Sequence, residues 1–292
     1  MSNTITIGNI TFAGGGGGNT TALAGSIFYD RHNIVEDAEA GKFDTAKASK
    51  LISDQDMWSK KTGIPAMVDI VASSPRAIEQ YIDFAAEETE APLLIDGSDE
   101  EVRLAGARRC RELGILSRTI YNSISAHSSE KELKELKEIG IKAAVLLCYN
   151  PTDFSLKGRL DILEKLLQNA EKAGIEQPLA DTSVIDLPSL GMAKELIANI
   201  KEKYSIPVGN SPHNAVSRWP GLKGKFPGAK ESCTVVAHAV PVSWGADFLI
   251  YGPIRHAEVI FPGVGLVEAC LGQLSIEHGK MPGPDHPLFK MA

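Results

Sequence analysis

Positive charge is in short supply in this 292-residue chain, with 30 Lys and Arg against 37 Asp and Glu and a formal net charge of −7. A net-negative chain without a long Lys/Arg run binds a phosphate backbone poorly, so nucleic acid is not expected as a partner. Long apolar runs are missing too. The best stretch, Ala143 to Tyr149, falls far short of the ~18 residues that span a bilayer, so no membrane segment is expected. Met1 to Thr11 has neither a basic flank nor a long apolar core, and without a secretory leader the expected compartment is the cytoplasm. Cysteine is scarce: Cys110, Cys148, Cys233 and Cys270 form no CxxC and no Cys/His pair at zinc spacing. Neither a disulfide framework nor a metal site follows, and free, buried thiols are expected.

What remains is an ordinary globular composition, 43% hydrophobic, 23% charged and 6% aromatic, which excludes a disordered, collagenous or coiled-coil chain. Eight short apolar runs predict strands at Thr21–Phe28, Ala66–Ala72, Pro92–Gly97, Arg118–Ile124, Ala143–Asn150, Pro178–Val184, Pro207–Ser211 and Asp247–Pro253. Their near-continuous apolar character suits a parallel sheet covered by helices. Helical patterns lie between them. Ser74 before Pro75 predicts a capped start, with Ile78, Ile82 and Ala85 on one face. Ser98 with Glu101 reads as a capping box, and a third helix is expected near Ser189. Leu160, Leu163, Leu166 and Leu167 line another helix, which Gly174 can end.

Polar residues close the strands at Asp69, Asp96, Asn122, Asn150, Asp181 and Asn210, about one per βα unit, and eight such units fit a (β/α)8 TIM barrel. An open Rossmann sheet would carry its glycine-rich turn after the first strand. The Gly14–Gly18 run precedes it and reads as a turn of an N-terminal cap rather than a phosphate cradle. The expectation is one barrel domain over 1–292, with a cap over about residues 1–20 and a Pro/Gly-rich tail over about 279–292 that wraps the surface or meets another subunit. Trp219 to Lys230, with several Gly and Pro, predicts a long loop or lid after the seventh strand.

In such a barrel the chemistry is built at the carboxyl ends of the strands. Those ends offer Asp69, Asp96, Asn122, Asn150, Asp181, Asn210 and Ser211, with His213 and Asn214 just beyond, and no lysine for a Schiff base. Ionised carboxylates only accept hydrogen bonds, whereas Asn donates and accepts, so the set suits a ligand with many N–H donors. A reduced pterin is such a ligand. Its 2-amino group and ring N–H can meet one carboxylate in two parallel bonds.

The segments GSIFYDRHNIVEDAEAGKFD, MVDIVASSP, YIDFAAE, PLLIDG, RTIYNSI and PVGNSPHNA together resemble the H subunit of tetrahydromethanopterin S-methyltransferase, from about Leu23 to Asn214. More distantly, LLIDGS, IYNSIS, PLADTS and VGNS are similar to strand ends of the pterin-binding, TIM-barrel methyltransferases that serve corrinoid proteins. This resemblance implies that Asp96, Asn122 and Asp181 hold a pterin, with Asp69 and Ser211 beside them, and that Asn210 or Asn214 contacts the reacting nitrogen N5. It also implies methyl transfer from a methylated corrinoid on a partner protein to tetrahydrofolate, as in soluble bacterial relatives acting in methylamine or glycine betaine breakdown. A tetrahydromethanopterin-dependent subunit, a synthase of the dihydropteroate type and a non-catalytic scaffold for a corrinoid protein are the alternatives. The fragment Asp30, Arg31, His32 lacks the glycine of a cobalamin-binding motif, since Val35 stands in its place, so His32 is expected to be a loop residue. Leu288 and Phe289 in the tail suggest a homodimer, the commonest closed oligomer.

Overall fold

Eight parallel strands close into a barrel in the computed structural model, which describes residues 4–13 and 19–291. They are β1 (Ala22–Ile27), β2 (Ala66–Ala72), β3 (Leu93–Gly97), β4 (Thr119–Ile124), β5 (Ala143–Leu147), β6 (Gln177–Asp181), β7 (Val208–Asn210) and β8 (Phe248–Pro253). Each pairs in parallel with its sequence neighbour and β8 pairs with β1, so the sheet has no open edge. Helices α1 (Thr45–Thr62), α2 (Pro75–Glu88), α3 (Glu100–Glu112), α4 (Glu130–Ile139), α5 (Leu156–Lys172), α6 (Leu187–Tyr204), α7 (Lys230–Ser243) and α8 (Ala257–Glu277) alternate with the strands. The chain is a TIM barrel, with every expected strand within three residues of its predicted ends.

Strand periodicity sorts the side chains into two shells. Ala22, Ala24, Met67, Leu94, Ile120, Val145, Leu179, Phe248 and Ile250 point inward and fill the barrel's interior. Their alternates, including Leu23, Tyr121, Leu146, Ala180, Val208 and Leu249, point outward and pack under the helices. Both faces are dry, which explains the unbroken apolar runs.

The helix ends show which capping group wins. Ser74 Oγ accepts the Ala77 N–H at 3.1 Å and Pro75 follows it, as the sequence predicts for α2. For α3 the cap sits one residue beyond Ser98. The Asp99 carboxylate takes the Val102 N–H, and its charge adds the attraction of the helix dipole to the bond. Helix α6 begins before Ser189, because Asp186 caps it and Ser189 Oγ accepts the Asp186 N–H in return.

Several expectations change. The connection from Trp219 to Lys230 is partly helical, with short turns at His213–Ser217 and Gly221–Lys225 on either side of Trp219. Contrary to the expectation of no spanning segment, Ile254–Glu277 is long and apolar enough to cross a membrane by length and composition. In the fold it ends in α8, which buries Ile260, Phe261 and Val264 against the core, while the Glu268 carboxylate accepts from the Thr21 N–H and hydroxyl at 2.7 Å. Cys110 and Cys148 are buried, but Cys233 is half-buried and Cys270 is exposed.

Both chain ends pack on the barrel. Thr4–Ile7 and Ile10–Ala13 form an antiparallel hairpin whose Ile7, Ile10 and Phe12 join the interior cluster. The Gly8 N–H donates to Ser117 O and Gln177 Nε2 donates to Thr6 O, so the hairpin sits against the amino ends of β4 and β6. The glycine run at 14–18 lies outside the described residues. In the tail, Pro287–Lys290 forms a helical turn packed on α1 and α8, with Leu288 half-buried and Phe289 exposed.

Candidate functional site

At the opposite, carboxyl end of the strands lies a cavity of about 490 Å³, within the usual size of a small-molecule site. Asp69 from β2, Asp96 from β3, Asn122 from β4 and Asp181 from β6 all reach its wall, because each shares the phase of the inward-facing residue two before it. Ser211 follows β7 onto the same wall, and Asn214 and Ser217 come from the helical turn after it. Among the described residues no Lys or Arg lines this cavity.

The carboxylates are held differently. Asp69, 2% exposed, accepts from Ser26 Oγ at 2.6 Å and more weakly from Asn122 Nδ2 at 3.4 Å. Burial pushes its carboxyl up to about 6 despite those two bonds. Asp181 is also pushed up to about 6 by burial, with the Ser183 N–H at 2.6 Å and the Arg159 charge pulling the other way. Asp96 is raised well above the usual carboxylate range, first by burial and then by the charge of Asp69, and no side-chain donor bonds to it among the described residues. Buried acids with raised proton affinity in one cleft mark a functional site. A ligand that brings N–H groups relieves the same desolvation that raises them.

The two candidate amides part company. Asn214 lies on the wall, its Nδ2 anchored to Val184 O at 3.0 Å. Asn210 does not reach the cavity. It has the phase of Val208, which faces the helices, so its side chain is fully buried behind the wall, with Nδ2 bonded to Thr182 Oγ1 at 3.2 Å and Oδ1 unpartnered. Asn150 is also away from the site, since β5 ends at Leu147 and the Asn150 amide organises the next loop through the Thr152 and Asp153 N–H groups.

Sequence reasoning passed over Ser26, Tyr29 and Gly252. Ser26 shares the inward phase of Ala22 and Ala24, a signal present in the sequence once β1 is placed. Gly252 has φ +80, and a Cβ there would come within 2.7 Å of the His213 ring, so glycine lets β8 pass that ring. Burial lowers the proton affinity of His213, which keeps the ring neutral on the wall. His32 is 3% exposed, stacked on Tyr29 and accepting the Phe28 N–H through Nδ1 at 3.1 Å, so it helps to hold the first loop. No cluster of three or more His, Cys, Asp or Glu suited to a metal occurs among the described residues.

Comparison with known proteins extends the sequence resemblance in both directions. The profile of the tetrahydromethanopterin S-methyltransferase MtrH subunit matches residues 2–281. The H subunit of that enzyme from Methanocaldococcus jannaschii is 38% identical, covering 93% of this chain and 92% of its own. The Methanococcus aeolicus protein is 36% identical, covering 98% and 97%. Among solved structures, dihydropteroate synthases from Thermus thermophilus (TM-score 0.61, 16% identity, 92% of this chain and 100% of that one) and Xanthomonas albilineans (0.64, 15%, 92% and 98%) share the fold.

Proposed function

The chain belongs to the family of the H subunit of tetrahydromethanopterin S-methyltransferase, and on that premise we propose that it moves a methyl group from a methylated corrinoid to N5 of tetrahydrofolate. One observation carries the reading: three carboxylates and two amides converge in a cavity whose described wall has no Lys or Arg. Such a wall favours the donor-rich edge of a reduced pterin. It opposes the other reaction a pterin barrel can host, substitution with loss of pyrophosphate, because a departing pyrophosphate needs a Lys or Arg at the reacting end. The preference for tetrahydrofolate over tetrahydromethanopterin rests on the resemblance to soluble bacterial relatives.

In this reading Asp96, Asn122 and Asp181 hold the pterin ring, while Asp69 and Ser26 hold Asn122 and the neighbouring wall in place. The pterin N5 lone pair attacks the methyl carbon in line. The corrinoid supplies an electrophilic methyl group and leaves with the bonding pair as cobalt(I). Asn214, anchored through its Nδ2, turns Oδ1 to the N5–H, whose bond polarises as positive charge builds and whose proton passes to solvent water after transfer. The corrinoid comes on a partner protein, consistent with His32 being committed to its own loop. A homodimer is part of the same proposal, supported by Val236, Leu266 and Leu274, which stand exposed on the outer face of α7 and α8.

The test is to mix the purified chain, a methylated corrinoid protein and tetrahydrofolate without oxygen. Conversion to the cobalt(I) spectrum with stoichiometric 5-methyltetrahydrofolate is the expected result. A partner complex that forms without methyl transfer would leave only a scaffold.

A further inference from the structure

A second cavity, of about 540 Å³, opens beside the first on the helical connection that follows β7. Ser217 lines both. The chemistry changes sharply across that residue. Val216, Leu222, Trp219 and Phe226 give the second cavity an apolar wall, with the two aromatic rings 5.5 Å apart and tilted by 45°. Arg218 and Lys230 stand at its edge, and no carboxylate lines it among the described residues. Neither cation has a carboxylate at ion-pair distance among those residues, whereas many of the other lysines and arginines do. In a chain of net charge −7 this is a local reversal of sign.

We infer that the second cavity is the subsite for the aryl ring and anionic end of the pterin's tail, with Trp219 and Phe226 packing on the ring and Arg218 and Lys230 meeting the terminal anions. The inference rests on the pterin reading of the first cavity. Its logic is polarity: acceptors at one end, an aromatic slot between, cations at the other, matched to a ligand with a donor edge, an aryl linker and a negative end. Aromatic walls bind a flat ring through area and quadrupole contacts, and guanidinium groups take carboxylate or phosphate in paired bonds. Carboxylates from a polyglutamyl folate and the phosphate-containing end of tetrahydromethanopterin share this chemistry.

The test measures affinity by anaerobic calorimetry for a tailless reduced pterin (6-methyltetrahydropterin), tetrahydrofolate, its pentaglutamyl form and tetrahydromethanopterin. Both cations are exposed, so the variants Arg218→Ala, Lys230→Ala and the double variant should fold as the parent does. The tail-bearing pterins should bind about ten- to a hundredfold tighter than the tailless one, an advantage that shrinks with salt and falls in the double variant to the share the aromatic slot supplies. The tailless pterin should bind all variants alike. A larger tail advantage for the pentaglutamyl form identifies carboxylates as the anion, and a larger one for tetrahydromethanopterin identifies its phosphate-containing end. Equal affinity with and without a tail, or an equal loss for every ligand in the double variant, overturns the subsite and leaves the pterin pocket standing. Failure of every reduced pterin to bind overturns both.

Discussion

Asp96 and Asp181 carry the sharpest consequences at the scale of single residues. Each gives up an acceptor on the cavity wall when changed to alanine, and losing a charge-assisted bond costs about 1.5–3 kcal/mol, so Asp96→Ala and Asp181→Ala should each weaken pterin binding about ten- to a hundredfold by titration calorimetry, with an unchanged circular dichroism spectrum. Asp181 also sets a pH dependence. Its folded-state proton affinity is raised to about 6, so its stabilising contribution is complete below its ordinary value of 3.8 and is lost as pH rises through about 6. The permanently neutral Asp181→Asn variant, without ligand, should therefore gain stability over the parent between about pH 4 and pH 7, by up to about 3 kcal/mol in denaturant titrations. Three histidines, the buried His32 and His238 and the half-buried His256, are lowered to about 4 and act in the opposite direction, which is why the comparison is between variants. The amides separate by readout. Asn214→Ala should slow single-turnover methyl transfer about ten- to a thousandfold at saturating pterin, whereas Asn210→Ala should show mainly a lower denaturation midpoint through loss of the Thr182 bond.

Among the elements, the β3–α3 and β4–α4 units are tied by a buried pair. Arg103 reaches from α3 to Glu132 on α4 at 3.1 Å, to Tyr121 on β4 and to the carbonyl of Gly97, the residue after Asp96. Glu132 is 1% exposed, so Glu132→Ala strands the guanidinium; a loss of about 3 kcal/mol in chemical denaturation is expected, with weaker pterin binding through a loosened Gly97 turn. Nothing in the sequence marks this pair, since its members are 29 residues apart on separate helices. The barrel itself was legible because each βα unit repeats the same signal, an apolar run closed by a polar residue. That signal singles out Asp69, Asp96, Asn122 and Asp181, which lie on the cavity wall, and equally Asn210, which is buried behind it. Strands that are apolar on both faces do not reveal their phase, so a residue at the right distance along the chain can face the wrong shell. Ile254–Glu277 was overlooked for a related reason, as Glu258 and Glu268 interrupt the run without lowering its average hydropathy below that of a spanning helix.

For the whole molecule, the exposed apolar side chains of α7 and α8 bear on assembly. Leu266 is 63% exposed and Leu274 51%, so a dimer closing over them should dissociate in the double variant Leu266→Glu, Leu274→Glu while light scattering of the parent reports two copies. A monomeric parent at micromolar concentration would refute that assembly. The amino-terminal hairpin acts on the other axis of the barrel. With Ile7, Ile10 and Phe12 packed against the filled interior at the amino ends of the strands, that end of the barrel is covered. The cavity that holds the carboxylates lies at the other end, and whatever docks over that mouth shuts in what arrived before it. On the proposed function, traffic would then be last in, first out: the pterin would board before the methyl carrier lands, and wait for the carrier to lift before it could go.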